Sequence, residues 1–443
     1  MITAHELFEE LCSIPMLDVH THIHAGYPTA RGLDDILLYH MVVSDLYSAG
    51  CPDGARLPEV PSEEERVRRL ERAIPYIPYI QNTSCWWGVR LILSELYGWT
   101  DGITAENWRV LDARIREKSQ DPGWVREIMR KANIQRTVTE LWRGDGDRHP
   151  DIFQYSAEWS FFTRSQWGQY DTALLELEHA WNQEEPGAPL PVTADRASLN
   201  FAKTVRTMDD VYAAIEHYCT KMPADRILST ASHLSTNMNY RSVTAAEMEK
   251  ALKNREGAGE AERDIFANFI HDAYLARIAE TAPGLVLQYS MGAEPLPFET
   301  SAKLRTETVS EIASIFARYP QIKFNIFNAS YHQQQTLNTL ARELPNVSLS
   351  GYWWHNFFPQ YIRQTFGARL DMVAANKNAA FFSDAYNMDW AFAKAYIIRR
   401  QMAEVFAEKI AQGQYTKESA LRIARQLVFE TPQTLLGVVP GVV

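Results

Sequence analysis

The most constraining feature is an alternation of short apolar runs with helix-patterned stretches through the C-terminal part of the chain. Leu285–Tyr289, Ile322–Phe327, Val347–Leu349 and Ala379–Ser383 have strand character. Between them, 306–318, 332–343 and 360–375 repeat apolar residues at helical spacing. Alternation of this kind calls for a parallel sheet covered by helices. Earlier strand candidates are Met16–His22, Ile134–Thr139, a weaker run near Ile152–Trp159, and Arg226–Ala231. A total of about eight strands suits a closed (β/α)8 TIM-type barrel better than an open sheet. Long helices are expected over 388–411 and 417–429.

The chain has 443 residues, more than the roughly 250 of a bare barrel. The surplus lies mainly in 26–130, which is helical in pattern and follows the first strand. The expected organisation is an N-terminal helix and first strand (1–25), a helical insertion (26–130) and the rest of the barrel (131–443). Lys and Arg total 44 against 55 Asp and Glu, a net charge of −11. That disfavours a nucleic-acid or anionic-membrane binder, which needs a basic face. The four cysteines form no CxxC pair, so neither a disulfide scaffold nor a cysteine zinc site is expected. There is no signal-peptide pattern, no run of about 18 apolar residues, and no glycine-rich phosphate loop. The expectation is a soluble, cytoplasmic protein.

The chemistry concentrates in Asp18-Val19-His20-Thr21-His22-Ile23-His24. Side chains two apart on a strand point to the same face, so His20 and His22 can bind one metal ion. The competing reading is a polar strand end with hydrogen-bonded histidines. His24 reads as a loop residue past the strand. Asp384 directly follows the apolar run ending at Ser383, where it could cap a helix or stand on the C-terminal rim of a barrel. First and last strands are neighbours in a closed barrel. His20, His22 and Asp384 would then give three ligands with open positions for water or substrate.

At these residues the sequence resembles the uronate (glucuronate) isomerase family of the amidohydrolase superfamily. Asp18–His22 is similar to the family's DxHxH strand, and His40-Met41 to its His-Tyr pair, which like this one precedes a glycine, here Gly50, at the same distance. Gln288–Ala293 resembles its Gln-Leu-His-Ile-Gly-Ala segment, Gly351–Asn356 its Gly-x-Trp-Trp-Phe-Asn segment, and Ser383-Asp384-Ala385 its Thr-Asp-Ser. Arg399-Arg400 on the following helix also fits the family's spacing.

The resemblance implies that His20, His22 and Asp384 hold one divalent metal ion, with zinc expected. It implies that Asp384 moves the proton in an aldose–ketose exchange of a hexuronate or related sugar acid, and that His40 assists. Trp353 and Trp354 would wall the pocket, or else be paired core aromatics. His355, His233, Met41, Ser290 and Tyr386 are the other candidate substrate contacts. A homo-oligomer is expected, with a small-molecule substrate as partner.

Three departures bear on function. Met41 stands for the family's tyrosine, Ser290 for a strand-five histidine, and Tyr386 for an arginine suited to a substrate carboxylate. Arg143, Arg164 or Arg241 could replace that arginine, or could be surface residues. His233 sits in a segment that resembles the family's Ser-Asp-His, with Ser232 for its aspartate. His332 could reach the mouth, and Glu140 could be a rim acid or a solvated one. The alternative function is a divergent hydrolase or lyase of the same superfamily using a metal-activated water. A sugar-acid binding protein without catalysis is the third reading.

Overall fold

Pro15 follows the first helix, Ala4–Ser13, whose N-terminus is closed by reciprocal hydrogen bonds between Thr3 and Glu6. The chain then enters the first of eight strands among the described residues: β1 (Met16–Asp18), β2 (Ile134–Glu140), β3 (Phe153–Glu158), β4 (Ile227–His233), β5 (Val286–Met291), β6 (Lys323–Asn328), β7 (Val347–Ser350) and β8 (Asn378–Ala379). Each pairs in parallel with the next, in chain order. This is a computed structural model, and it describes residues 3–53, 61–159, 170–190, 199–235, 238–292 and 305–441.

The circle closes just beyond the strand ends. Asp384 N donates to His20 O at 3.0 Å and His22 N to Ala385 O at 2.8 Å. Ser383 N donates to Asp18 Oδ1 at 2.8 Å. The expected (β/α)8 barrel is therefore the architecture found. Two strands are shorter than the sequence patterns suggested. β1 leaves the ladder at Asp18 and β8 at Ala379, although both runs continue toward the mouth. At the last strand the backbone changes partner: Ala380 N donates to Leu427 O at 3.0 Å, outside the ladder.

Alternation along the strands divides the core. One face of each strand packs under the surrounding helices. The other contributes Leu17, Val19, Val138, Val286, Phe327 and Phe382 to a smaller cluster inside the barrel, with Phe429, Leu436 and Val438 from the C-terminal segment. A polar layer shares the interior. Gln288 Nε2 donates to Val19 O at 3.4 Å, and Asn325 Nδ2 to Ser348 Oγ at 2.9 Å.

Between β1 and β2 the chain forms helices Asp34–Leu37, His40–Ser48, Glu63–Ala73, Ile77–Ile80, Ser84–Tyr97, Trp108–Ser119 and Trp124–Ala132. They are tied to the long helix Met388–Ala411 that follows β8. Asp389, fully buried, accepts from Ala30 N at 2.8 Å and from Tyr97 OH at 2.5 Å. A Cβ at Gly88 would stand 2.7 Å from the Trp390 ring, so the close crossing of the two helices needs glycine there. These ties bring the segment carrying His40 to the same end of the barrel as Asp384.

Candidate metal centre at the barrel mouth

His20 and His22 leave the end of β1 on the same side. Their rings meet edge to face with centroids 4.9 Å apart. Asp384 Oδ1 lies 3.3 Å from His22 Nε2 and 3.7 Å from His20 Nε2. One potential ligand atom from each of the three residues lies within 4.8 Å of the others. Two ligand atoms each about 2.1 Å from a tetrahedral ion would be about 3.4 Å apart, and the two separations to Asp384 straddle that value. Asp384 Oδ1 is buried close to both Nε2 atoms without a well-formed hydrogen bond to either, an arrangement that suits a bound cation better than a self-satisfied polar cluster.

The protonation states agree with the geometry. Burial, reinforced by neighbouring His22, brings His20 down to about 4, leaving a neutral imidazole at pH 7. Burial opposes charge on Asp384, but the adjacent His22 and the nearby Lys394 hold it below the usual carboxylate range. Burial also disfavours charge on His22, yet Glu140, with Tyr386 and Asp384, raises it well above an ordinary histidine. A metal ion would take the place of that proton.

Glu140 is the principal residue that the sequence left undecided. It ends β2, is only 1% exposed, and hydrogen-bonds His22 Nδ1. Its other oxygen meets Arg143 Nε at 3.0 Å. Burial alone would raise its pKa, but His22 and Arg143 bring it down to about 2. A carboxylate behind a ligating histidine fixes the ring's tautomer and orientation. Its place at the end of the strand beside β1 was the available signal. Arg143, open to a surface reading from sequence, is buried, with its guanidinium 4.2 Å from the Trp142 ring and 5.8 Å from the Tyr386 ring. Arg241 instead pairs with Glu247 on the outside, both half-exposed, and Arg164 lies outside the described residues.

Tyr386 stacks on His22, with centroids 5.0 Å apart. Phe327 and Phe382 flank His20 at 5.0 and 5.7 Å. Phe382 reaches this position by crossing Gly351, where a Cβ would lie 2.2 Å from its ring and φ is 46°. His40 begins its helix edge-on to Trp354 at 5.7 Å. Trp354 meets Trp353 at 5.8 Å, and Trp353 meets His233 at 5.2 Å. His233 Nδ1 is hydrogen-bonded with Ser290 Oγ at 3.1 Å across the β4–β5 pair.

Other candidates are engaged elsewhere. Met41 packs against the main core. His355 bonds the Ala329 carbonyl and stacks on Tyr361 at 3.6 Å. His332 is exposed beside Tyr331. His24 accepts from Gly26 N at 3.0 Å and stacks on Tyr27. Arg399 is buried at the opposite end, donating to Ala132 O and Ile14 O.

Fold and site together define a (β/α)8 barrel with a His-x-His/Asp group, able to hold a metal ion, at its C-terminal mouth. Solved structures carry the same fold. The uronate isomerase of Thermotoga maritima superposes with a TM-score of 0.76 at 14% identity, covering 98% of this chain and 97% of that one. The glucuronate isomerase of Caulobacter crescentus gives 0.76 at 15% identity, covering 98% and 93%. A Lactobacillus casei protein described provisionally as a metal-dependent hydrolase gives 0.60 at 13% identity, covering 97% of each chain. At these identities the likeness establishes the fold. No protein-family model and no curated protein matches the sequence. Among the described residues, no helix is long and apolar enough to cross a membrane.

Proposed function

We propose that the protein is a metal-dependent isomerase of a hexuronate or related sugar acid. The observation that carries this reading is the convergence of His20, His22 and Asp384 at the mouth of a barrel shared with uronate and glucuronate isomerases. In this reading those three residues hold one divalent ion, with zinc the ion that suits two imidazoles and a carboxylate. The same reading places the protein in the cytoplasm, in keeping with four free cysteines.

An aldose–ketose exchange moves one proton between C2 and C1 of the open-chain sugar and another between its oxygens. The bound ion would polarise the substrate carbonyl and adjacent hydroxyl, easing enediol formation. Asp384, ionised at neutral pH, takes the carbon-bound proton and returns it to the neighbouring carbon. His40, beside Trp354, orients the substrate hydroxyls. Trp353, Trp354 and Tyr386 wall the pocket and exclude water, and His233 with Ser290 supplies polar groups on the β4–β5 side. Tyr386 replaces an arginine. Arg143 stands beside it, with its guanidinium paired to Glu140.

The test is proton NMR of D-glucuronate and D-galacturonate incubated in deuterated water with the zinc-loaded protein. Ketose formation with solvent deuterium on carbon supports the proposal. No turnover of either sugar, together with hydrolysis of a lactone or amide, would replace it with the hydrolase reading.

A further inference from the structure

Lys394 stands ten residues after Asp384 in the run Trp390-Ala391-Phe392-Ala393-Lys394-Ala395, otherwise apolar. It is 2% exposed. An ammonium is costly to bury, and its acceptors show where the charge is used. Nζ donates to Ser383 O at 2.6 Å, to Asp384 O at 3.2 Å and to Tyr39 OH at 3.1 Å. Tyr39 OH in turn donates to Asp384 O at 3.1 Å. Asp384 carries a left-handed backbone at φ 54°, which persists in a non-glycine residue only when its surroundings hold it there. Tyr39 immediately precedes His40 and is the N-cap residue of its helix. Its ring is fixed by stacking on Trp390, with centroids 4.5 Å apart.

We infer that Lys394 and Tyr39 form a positioning strut that holds the Asp384 turn in its left-handed conformation and fixes the distance between Asp384 and His40. Neither residue touches the substrate in this account. The strut acts through the backbone carbonyl of Asp384 and so governs where that carboxylate points. Its effect on metal binding rests on the proposed metal site, whereas its effect on the turn does not.

The experiment uses the full chain in two states. Hydrogen–deuterium exchange of the metal-free protein follows the peptide spanning 383–387. Cobalt titration then reads affinity and the visible bands of the loaded protein. Tyr39→Phe and Lys394→Met are each expected to speed exchange in that peptide about tenfold, with the rest of the barrel unchanged. Each is expected to shift the cobalt bands, and Lys394→Met to weaken cobalt binding by about tenfold or more. Tyr39→Phe removes only a hydroxyl, so it decides the matter alone if Lys394→Met does not fold. Wild-type exchange and wild-type cobalt bands in Tyr39→Phe would overturn the strut. Wild-type protein that binds no cobalt would overturn the metal-site reading instead, and the exchange data would still decide the strut.

Discussion

Replacing Glu140 by Gln isolates what a buried carboxylate contributes behind a ligating histidine. The substitution preserves shape and one carbonyl oxygen while removing the charge that faces His22 Nδ1 and Arg143 Nε. Glu140 is 1% exposed, so water cannot replace the lost interaction. Loss of such an outer partner weakens metal binding by about 10- to 100-fold. Each factor of ten is about 1.4 kcal/mol. At saturating zinc the metal's contribution to stability should therefore fall by about 1.4 to 2.8 kcal/mol, because that contribution follows the logarithm of ligand concentration over Kd. The assay is zinc affinity by chelator competition, paired with urea unfolding with and without zinc. Affinity within twofold of wild type, with an unchanged zinc increment in stability, would refute the reasoning.

Three further outcomes are expected. Asp384→Asn should keep the fold but abolish deuterium exchange into the sugar, as followed by NMR; full activity would show that another group moves the proton. Gly351→Ala places a methyl 2.2 Å from Phe382 in a left-handed backbone, and should cost at least about 1–3 kcal/mol in urea unfolding. Burial raises Asp389 to about 6 from 3.8, against the opposing bonds from Tyr97 and Ala30. Its folded pKa lies above its unfolded one, so its stabilising contribution is full below about pH 4 and is lost as pH rises through about 6. Across that window wild type should lose about 3 kcal/mol relative to Asp389→Asn in urea unfolding, and a pH-independent difference between the two would contradict this.

The barrel was legible because its strands are buried on both faces and read as apolar runs separated by helical periodicity. β5 to β7 and the helix Met388–Ala411 fall close to where the patterns placed them. The ends of β1 and β8 were not legible. Their apolar and alternating residues continue past the ladder, and the left-handed turn at Asp384 has no marker in the residue types around it. His20, His22 and Asp384 could be brought together on paper because barrel closure makes the first and last strands neighbours.

The supporting residues were harder to read. Glu140, Arg143 and Lys394 are charged side chains whose burial depends on what the rest of the fold places over them. Lys394 left one trace, a single cation within an apolar helical run. His355 illustrates the converse: it directly follows the tryptophan pair, yet the turn at Trp354, with φ 58°, precedes a ring that bonds the Ala329 carbonyl. Position along a chain near a strand end sets which rim a residue occupies, but not which way its side chain faces.

The central claim is that His20, His22 and Asp384 together hold a divalent ion. Its most direct measurement is metal content by mass spectrometry after zinc loading and exhaustive dialysis, comparing wild type with His20→Ala and His22→Ala. The account predicts about one zinc per chain in wild type and about a tenth of that or less in either variant. Equal zinc content in all three proteins would contradict it.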